Sequence, residues 1–290
     1  MRIGIVGSES SHAMQFAKFY NLPDPETGKM RFEDIRVTAI MGDAESAGET
    51  ARQADIPHIA TTAEEMADMV DAVMITSRRG SEHLMQARPF IAKGMPMFVD
   101  KPFTSDVEEA VELASAIEKA GCPVLGGSGC KYSDGVLKLK EQADQLRKEG
   151  KLLSAMLHFP IMLDSPYDGF WFYAHHLVEI CTEIFGTDIR AVQAIKTDKA
   201  LIANVQYHDI AVSLHFVTEV WTHSCTFVST GGPVTLPLIT AGSSDQEATR
   251  FASLLHGEYS SMTAEELIRP VAITDAILRA EATGATIVLN

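Results

Sequence analysis

The first 126 residues alternate short apolar runs with amphipathic stretches, and this alternation limits the possible folds more than any other feature of the sequence. The apolar runs occupy residues 3–6, 37–41, 72–76, 97–99 and 124–126. Runs of this length suit buried strands, whereas the stretches between them have helical spacing. The pattern predicts a parallel α/β sheet with crossover helices, in which ligands bind beyond the carboxyl ends of the strands.

The stretch SDVEEAVELASAIEKAG, residues 105–121, is the clearest of the predicted helices. Ser105 is the predicted N-cap, acidic residues fill the first turn, and apolar residues recur at helical spacing. Gly121 closes the helix, because glycine adopts the left-handed conformation of a helix C-terminus without steric cost.

After about residue 152 the apolar spacing changes from helical to partly alternating. Segments AVQAIKTD, IANVQYHDIAVSLHFV and HSCTFVST are predicted strands, with a break at GGP, residues 231–233. One helix, AHHLVEICTEIFG, interrupts them, and a further helix and strand end the chain. We predict two domains, an α/β domain over residues 1–125 and an α+β domain with a mostly antiparallel sheet over residues 126–290. The closing segment 263–290 is able to pack back towards the first domain.

Charge and hydropathy exclude two classes of partner. The formal net charge is −15 and no run of Lys and Arg occurs. The chain therefore lacks the basic patch that binding to nucleic acid or to an anionic membrane surface requires. No apolar segment approaches the roughly 20 residues of a membrane span, and the chain opens on a strand instead of a signal peptide. Four cysteines without CxxC spacing indicate free thiols, and we predict a cytoplasmic protein.

The first loop begins as a dinucleotide-binding fingerprint and then departs from it. In RIGIVGSESSH, Gly7 holds the position of the tight turn, while Glu9 and His12 replace the two following glycines. Such a loop places backbone N–H groups and a helix N-terminus against a pyrophosphate. A carboxylate at position 9 would repel a phosphate, so either it points to solvent or the cofactor sits differently in this protein. The predicted phosphate-binding residues are Gly7, Ser8, Ser10, Ser11 and His12, the last with a helix-end role without ligand as the alternative.

Four segments together resemble the Gfo/Idh/MocA family, the glucose–fructose oxidoreductase and inositol dehydrogenase group. They are the opening strand and turn, VDKPFTSDVEEAVELA, YAHHLVEICTEIFG and ITDAILRAEATGATIVL, and the resemblance covers nearly the whole chain. It implies an N-terminal Rossmann-type NAD(P)-binding domain and a C-terminal domain that shapes the substrate site. It also implies nicotinamide-dependent oxidation or reduction of a sugar, cyclitol or related polyol.

The resemblance also implies an acidic side chain after the second strand that accepts the ribose hydroxyls of NAD. Gly42 stands at the family position, and Asp43 substitutes for it after a one-residue shift, with a loop-capping role as the alternative. No arginine adjoins Asp43 to receive a 2′-phosphate, so NAD is the predicted cofactor while NADP stays open. The family pattern implies further cofactor-binding residues at Thr76, Ser77, His83, Asp100 and Lys101.

Three residues carry the predicted chemistry. By resemblance, Lys101 donates a hydrogen bond to the substrate hydroxyl and stabilises negative charge on oxygen; Asp100 replaces the family's Glu before it. His176 matches the family's histidine and is the predicted general base or acid, since an ordinary histidine pKa of about 6.5 suits that role. Glu179 matches the family's Asp and is predicted to bind substrate or to hold the imidazole in one tautomer. A buried core histidine is the alternative for His176.

The predicted substrate-binding residues surround the histidine helix: they are Lys131, Tyr167, Trp171, Tyr173 and His175. Aromatic faces and hydroxyls suit a ring-shaped polyol, with core packing as the alternative for Trp171. Only two of His175, His176 and Glu179 share a helix face, so no metal site is predicted.

These features predict an NAD(P)-dependent oxidoreductase that transfers a hydride to or from a sugar, cyclitol or related polyol or keto substrate. Two alternatives stay open. One is an enzyme that retains nicotinamide while it performs elimination, hydrolysis or epimerisation, and the other is a non-catalytic sensor on the same scaffold. Apolar residues on the outer face of the second sheet predict pairing between copies of the chain, as a homodimer or homotetramer.

Overall fold

The computed structural model describes residues 1–289, which form two compact units. Unit 1 contains Met1–Gly127 and Ser244–Ile268, and unit 2 contains Ser128–Ser243 and the residues from Arg269 onwards. The observed division after Gly127 lies close to the one predicted after residue 125, but the chain enters unit 1 a second time. Of the closing segment 263–290, the residues up to Ile268 group with unit 1 and the later described residues with unit 2.

Unit 1 is built on a six-stranded parallel sheet in the order β3-β2-β1-β4-β5-β6. Its strands are β1 (Arg2–Val6), β2 (Arg36–Met41), β3 (His58–Ile59), β4 (Ala72–Ile75), β5 (Met97–Asp100) and β6 (Val124–Gly127). The crossover helices are α1 (Ser11–Asn21), α2 (Ala44–Gln53), α3 (Ala63–Ala67), α4 (His83–Ile91) and α5 (Val107–Ala120). This is the strand order of the Rossmann fold, which confirms the predicted fold class. Strand β3 was not predicted, because two residues are too few to show a periodicity.

The N-terminus of α5 differs from the prediction by one residue. Asp106 is the N-cap, and its carboxylate accepts the backbone N–H of Glu109. An aspartate at this position also places negative charge at the positive end of the helix, which a serine does not. Gly121 ends the helix with a φ of 67°, as predicted.

Unit 2 holds a seven-stranded sheet in the order β12-β11-β7-β10-β9-β8-β13. The remaining elements are α6 (Asp134–Lys148), β7 (Leu152–Pro160), α7 (Trp171–Phe185), β8 (Ala191–Lys196), β9 (Ala200–Gln206), β10 (Ala211–Val217), β11 (Ser224–Ser229), β12 (Gly232–Pro237), α8 (Ser243–Leu255), α9 (Ala264–Thr283) and β13 (Ile287–Val288). Strands β7 and β10 pair in parallel and the other neighbours are antiparallel, so the sheet is mostly antiparallel, as predicted. Within residues 1–289 no helix is both long and apolar enough to span a membrane.

The two faces of this sheet differ in burial. Val212, Leu214 and Phe216 of β10 are fully buried and join the core formed with α6, α7 and the later part of α9. Ser213 and His215 point to the opposite face and are half-buried. The outer face is therefore mixed in character, and it is less apolar than the sequence suggested.

Helix α8 belongs to unit 1 because its apolar side chains complete that unit's core. The ring of Phe251 packs edge-on against Phe98 of β5, with ring centroids 6.1 Å apart. The buried Tyr20 hydroxyl of α1 donates to the Ala248 carbonyl oxygen at 2.6 Å. These contacts join residues more than 150 positions apart in the chain, so no local sequence pattern indicates them.

Candidate active site

The loop after β1 makes its tight turn at Gly7. The φ of Gly7 is 96°, and an added Cβ would lie 2.2 Å from the backbone nitrogen of Ser77. The Gly7 N–H donates to the Met41 carbonyl at 2.9 Å. The ends of β1, β2 and β4 therefore meet so closely that only glycine fits at this position.

The serines of this loop mainly stabilise the protein itself. Ser8 is buried, and its Oγ lies 2.7 Å from the Oγ of Ser46. Ser10 is the N-cap of α1 and accepts the backbone N–H of His12 at 3.2 Å. Ser11, the first residue of α1, is exposed. Of the three predicted phosphate-binding serines, Ser11 is the one that presents its side chain at the surface of the helix N-terminus.

Glu9 occupies the second glycine position and does not point to solvent. Its Oε1 accepts the backbone N–H of Arg78, in the loop after β4, at 3.1 Å. The half-buried carboxylate thus joins the β1 loop to the β4 loop at the carboxyl end of the sheet. The hydrogen bond lowers the cost of a negative charge beside a phosphate-binding turn.

His12, at the third glycine position, forms an ion pair with Asp100 at the end of β5. The His12 Nδ1 and the Asp100 Oδ2 lie 2.7 Å apart. Burial opposes protonation of His12, but the Asp100 carboxylate outweighs it and raises the pKa of His12 to about 9. This arrangement is closest to the alternative prediction for His12, a histidine at a helix end without ligand. The reason is that the His12 ring pairs with another residue of the protein, Asp100.

The same carboxylate holds the backbone of Lys101. Burial disfavours ionisation of Asp100, but His12 and Lys101 together lower its pKa below the usual range. Its Oδ1 accepts the Lys101 backbone N–H at 2.7 Å, and the peptide bond between Lys101 and Pro102 is cis. The side chain of Lys101 is 6% exposed. Aspartate, although shorter than the family's glutamate, therefore anchors the lysine through its backbone.

Two of the predicted cofactor-binding side chains in the β4 loop are fully buried and serve the loop instead. The Thr76 hydroxyl donates to the carbonyls of Val6 and Gly7 at 3.0 and 3.1 Å. His83 places Nε2 2.9 Å from the Ser77 carbonyl, and neither Thr76 nor His83 has any exposed surface. Ser77, with 2% exposure, contacts Gly7 through its backbone. The Thr76 and His83 side chains therefore stabilise the protein itself in this structure, and the cofactor-binding role of the two residues stays a prediction.

Asp43 is exposed at the end of β2 and is the N-cap of α2. Its Oδ1 accepts the backbone N–H groups of Glu45 and Ser46, each at 3.1 Å, and its other oxygen accepts the Ser46 hydroxyl. These hydrogen bonds, that of the Ser46 hydroxyl foremost, lower the pKa of Asp43 and keep it ionised. The capping alternative is therefore realised, and the ribose role stays a prediction.

In unit 2, His176 lies in the second turn of α7 and is half-buried. Its Nδ1 is 2.7 Å from the hydroxyl oxygen of Ser128, the residue that directly follows β6. The imidazole stacks on Phe159 of β7, with ring centroids 5.7 Å apart and planes inclined by 30°. The ring is therefore held both at one edge and at one face.

Glu179 and Lys131 form a buried ion pair. Their Oε2 and Nζ atoms are 2.6 Å apart, with side-chain exposures of 2% and 9%. The other oxygen of Glu179 accepts the backbone N–H of Ser128 at 2.8 Å. Each of the two presents its charge to the other. Lys131 was predicted to bind substrate, and Glu179 to bind substrate or to hold the His176 imidazole in one tautomer; these roles stay predictions. Glu179 supports His176 indirectly, through Ser128.

His175, which was predicted to bind substrate, is fully buried in α7, and that role stays a prediction. It has no exposed surface, and its Nδ1 lies 3.3 Å from the Thr274 hydroxyl of α9. Tyr167, Trp171 and Tyr173, at the start of α7, are half-buried and retain accessible ring surface. Among the described residues, no three His, Cys, Asp or Glu side chains are placed to hold a metal ion.

Sequence reasoning missed Ser128 and the pairing of His12 with Asp100. The position of Ser128 in the sequence could have indicated it. Ser128 follows β6 directly, just as Lys101 follows β5. Polar residues at the carboxyl ends of parallel strands face ligand sites. The partners of His12 and Glu9 lie 88 and 69 residues away, and nothing local indicates them.

Comparison with known proteins agrees with the fold described above. Residues 1–128 match the model of the Gfo/Idh/MocA family, described as an oxidoreductase family with an NAD-binding Rossmann fold. The matched residues are the first 128 of 290, less than half of the chain. The resemblance inferred from the sequence is thereby confirmed.

Among curated proteins, the NADP(+)-dependent scyllo-inositol 2-dehydrogenase IolU of Bacillus subtilis (strain 168) is 28% identical over 141 residues. That segment is 48% of this chain and 42% of the relative, so less than half of the relative is matched. Over the whole length of this chain, the similarity is to the structures of known proteins.

The myo-inositol 2-dehydrogenase of Lactobacillus plantarum superposes with a TM-score of 0.83 at 14% identity, over 100% of this chain and 99% of the other. The scyllo-inositol dehydrogenase of Lactobacillus casei, solved with NAD(H) and scyllo-inositol, gives 0.81 at 16% identity, over 99% and 98%. At these identities the match establishes the fold of this chain.

The residues at the carboxyl end of the unit 1 sheet fit a nicotinamide dinucleotide. Gly7 allows the tight turn between β1 and α1, and the 11-residue helix α1 begins directly after the loop. The carboxylate of Glu9 is turned to Arg78 and that of Asp100 is neutralised by His12. The dinucleotide would be held by the Gly7 loop and the start of α1, with Asp43 at the end of β2.

Proposed function

We propose that this protein is an NAD(P)-dependent oxidoreductase that transfers a hydride to or from a sugar, cyclitol or related polyol or keto substrate. The environment of Lys101 is the observation that carries the proposal. A lysine buried at the carboxyl end of a strand in an NAD-binding Rossmann domain, and anchored there by Asp100, is placed where ligands of this fold bind.

In this proposal Lys101 donates a hydrogen bond to the oxygen of the reacting carbon. A buried ammonium stabilises the negative charge that develops on that oxygen more strongly than an exposed one, because water screens it less. Asp100 holds the backbone of Lys101 by a hydrogen bond. His12 pairs with the Asp100 carboxylate, so Lys101 is not its only positive partner.

His176 is the proposed proton-exchanging group. Ser128 engages its Nδ1, which leaves the opposite ring nitrogen, Nε2, as the atom that takes the hydroxyl proton during oxidation and returns it during reduction. The nicotinamide, when bound, supplies the hydride chemistry.

The proposed substrate class rests on the aromatic residues beside His176 and on the relatives. Tyr167, Trp171 and Tyr173 offer half-buried rings and hydroxyls of the kind that bind saturated polyol rings. The curated relative and two of the superposed proteins are named as inositol dehydrogenases, which makes inositols and inososes the first compounds to test.

The test is to follow the near-ultraviolet absorbance of NADH and NADPH with a panel of inositols, inososes, sugars and sugar acids. Lys101→Ala and His176→Ala are each expected to lower kcat by about a hundredfold or more. Lys119→Ala and His208→Ala, at exposed positions in the same units, are the matched controls and should keep full activity. Full activity of Lys101→Ala or His176→Ala would refute the assignment.

Two other results would favour the alternatives. Product formation without a change in absorbance, together with nicotinamide retained through purification, would indicate a non-redox enzyme. Failure of NADH and NADPH to bind by calorimetry would indicate a non-catalytic sensor on the same scaffold.

We also propose that the chain forms a homodimer or homotetramer through the outer face of the unit 2 sheet. That face carries half-buried side chains such as Met156, Ile202 and His215, a mixture usual at interfaces between subunits. Light scattering would show the assembly. Four free cysteines suit the reducing cytoplasm, which is the proposed location.

A further inference from the structure

We propose that Ser128 positions the imidazole of His176 so that proton exchange takes place at Nε2, and that Glu179 supports this by holding the Ser128 backbone. The inference rests on the proposed function of His176 as the proton-exchanging group. Ser128 is a positioning residue, because it acts through His176 and not on a substrate.

Two contacts determine where the Ser128 hydroxyl lies. Its Oγ is 2.7 Å from His176 Nδ1, and the backbone N–H of Cys130 donates to the same oxygen at 3.2 Å. Ser128 has no exposed surface, so water cannot easily replace the hydroxyl if it is removed. The Ser128 Oγ is therefore held in one position, and the imidazole of His176 is oriented against it.

Stacking alone does not decide which edge of the ring faces which way. Phe159 lies against the imidazole face, and Tyr173 lies 6.4 Å from it with planes inclined by 49°. A half-turn of the ring about the Cβ–Cγ bond leaves these face contacts almost unchanged, but it exchanges Nδ1 with a carbon and Nε2 with the other carbon. The bond from Ser128 is lost in that half-turn, so Ser128 selects the orientation.

A serine hydroxyl suits this role because its oxygen has two acceptor lone pairs, one for the Cys130 N–H and one for the Nδ1–H of His176. When Nδ1–H donates to Oγ, Nε2 carries the lone pair that takes the proton of a substrate hydroxyl. The resulting imidazolium keeps its Nδ1–H bond to Oγ, and in the reverse direction Nε2 returns the proton. No proton leaves Ser128 in either direction, so its hydroxyl needs no acidic character.

Glu179 determines the position of Ser128 itself. One carboxylate oxygen accepts the Ser128 backbone N–H at 2.8 Å, and the other pairs with the Lys131 ammonium at 2.6 Å. The charge of a buried carboxylate strengthens its hydrogen bond to the backbone. The acid at the family's Asp position thus acts on His176 through the loop after β6.

The test reads the tautomer of His176 directly, in the complete protein with neither cofactor nor substrate. Two-dimensional NMR of the protein with ¹⁵N-labelled histidines gives the ring nitrogen shifts, and His176→Gln identifies the signal. We expect one well-defined tautomer in the wild type and in Ser128→Thr, and shifts averaged between two tautomers in Ser128→Ala.

Ser133→Ala is the matched control. Ser133 is also fully buried and in the same loop, but its hydroxyl contacts the carbonyls of Cys130 and Ile239 instead of His176. Unchanged His176 shifts in Ser128→Ala would overturn the proposal, and so would equal changes in Ser133→Ala.

Two double variants test the part played by Glu179. Lys131→Met with Glu179→Gln removes the ion pair but keeps an oxygen for the Ser128 N–H, so the His176 tautomer should be retained. Lys131→Met with Glu179→Leu removes that oxygen as well, and should give the averaged shifts. Removing both charges together avoids an unpaired buried charge. Identical His176 shifts in the two double variants would overturn this part.

Kinetics separate this proposal from the proposed function. Ser128→Ala should lower kcat by about tenfold to a hundredfold, displace the basic limb of the kcat/KM pH profile, and leave KM almost unchanged, because the proton-transfer step alone is affected. Ser128→Thr should restore both. If His176→Gln were fully active, the proposed function would fail, while the NMR result would still decide whether Ser128 orients the ring.

Discussion

The ion pair between His12 and Asp100 should make the stability of unit 1 depend on pH in a defined window. The pKa of His12 rises from 6.5 to about 9, and at about 1.4 kcal/mol per pH unit this corresponds to about 3 kcal/mol. A raised pKa in the folded state means that this contribution is complete below about pH 6.5. It is lost as the pH rises, and it is absent above about pH 9, where both states are deprotonated.

His12→Gln is the perturbation that reveals this contribution, because glutamine keeps a hydrogen-bond donor but does not titrate. We expect the free energy of opening of unit 1 to fall by about 3 kcal/mol more in the wild type than in His12→Gln between about pH 6 and pH 10. The comparison is needed because buried thiols also titrate at high pH. Burial raises the pKa of the Cys122 thiol in unit 1, and the difference between the two proteins removes its effect.

Hydrogen–deuterium exchange of peptides from α1, corrected for the intrinsic rate at each pH, is the appropriate assay. Tryptophan fluorescence is not suitable, since Trp171 and Trp221 both lie in unit 2. His58→Gln is the control, because His58 pairs with Glu65 at a partly exposed site of the same unit. Equal pH dependence of α1 protection in the wild type and His12→Gln would refute the reasoning.

Three further substitutions have expected outcomes. Gly7→Ala should abolish NADH binding in a fluorescence titration, because its Cβ would lie 2.2 Å from a backbone nitrogen, whereas Gly48→Ala, in open space, should bind normally. Tyr20→Phe should lower the unfolding free energy by about 1 kcal/mol in urea denaturation, since it removes one buried hydrogen bond. Lys131→Met should destabilise the protein by about 3–5 kcal/mol in the same assay by stranding a buried carboxylate, and adding Glu179→Leu should recover most of the loss. A Lys131→Met protein as stable as the wild type would contradict the buried ion pair.

The Rossmann topology was predictable because its evidence is local. Each buried strand appears as a short apolar run, and each crossover helix has its own periodicity and end signals, as Gly121 shows for α5. Lys101 and His176 were found by the motifs around them, which also depend only on neighbouring residues. Helix α8 has the same kind of local pattern, but its place in unit 1 depends on Phe98 and Tyr20, far away in the chain.

The sequence by itself determined which residues are available at the ends of the strands, and where the chain turns from parallel strands to a mostly antiparallel sheet. Only the tertiary structure decided what the polar side chains contact. Glu9 binds Arg78, His12 pairs with Asp100, and Glu179 turns to Lys131, and each of these partners is remote in sequence. The physical reason is that burying a charge is costly unless a partner neutralises it or donates a hydrogen bond to it. Which partner is within hydrogen-bond distance depends on the packing of distant segments, and that packing leaves no periodic trace in the sequence.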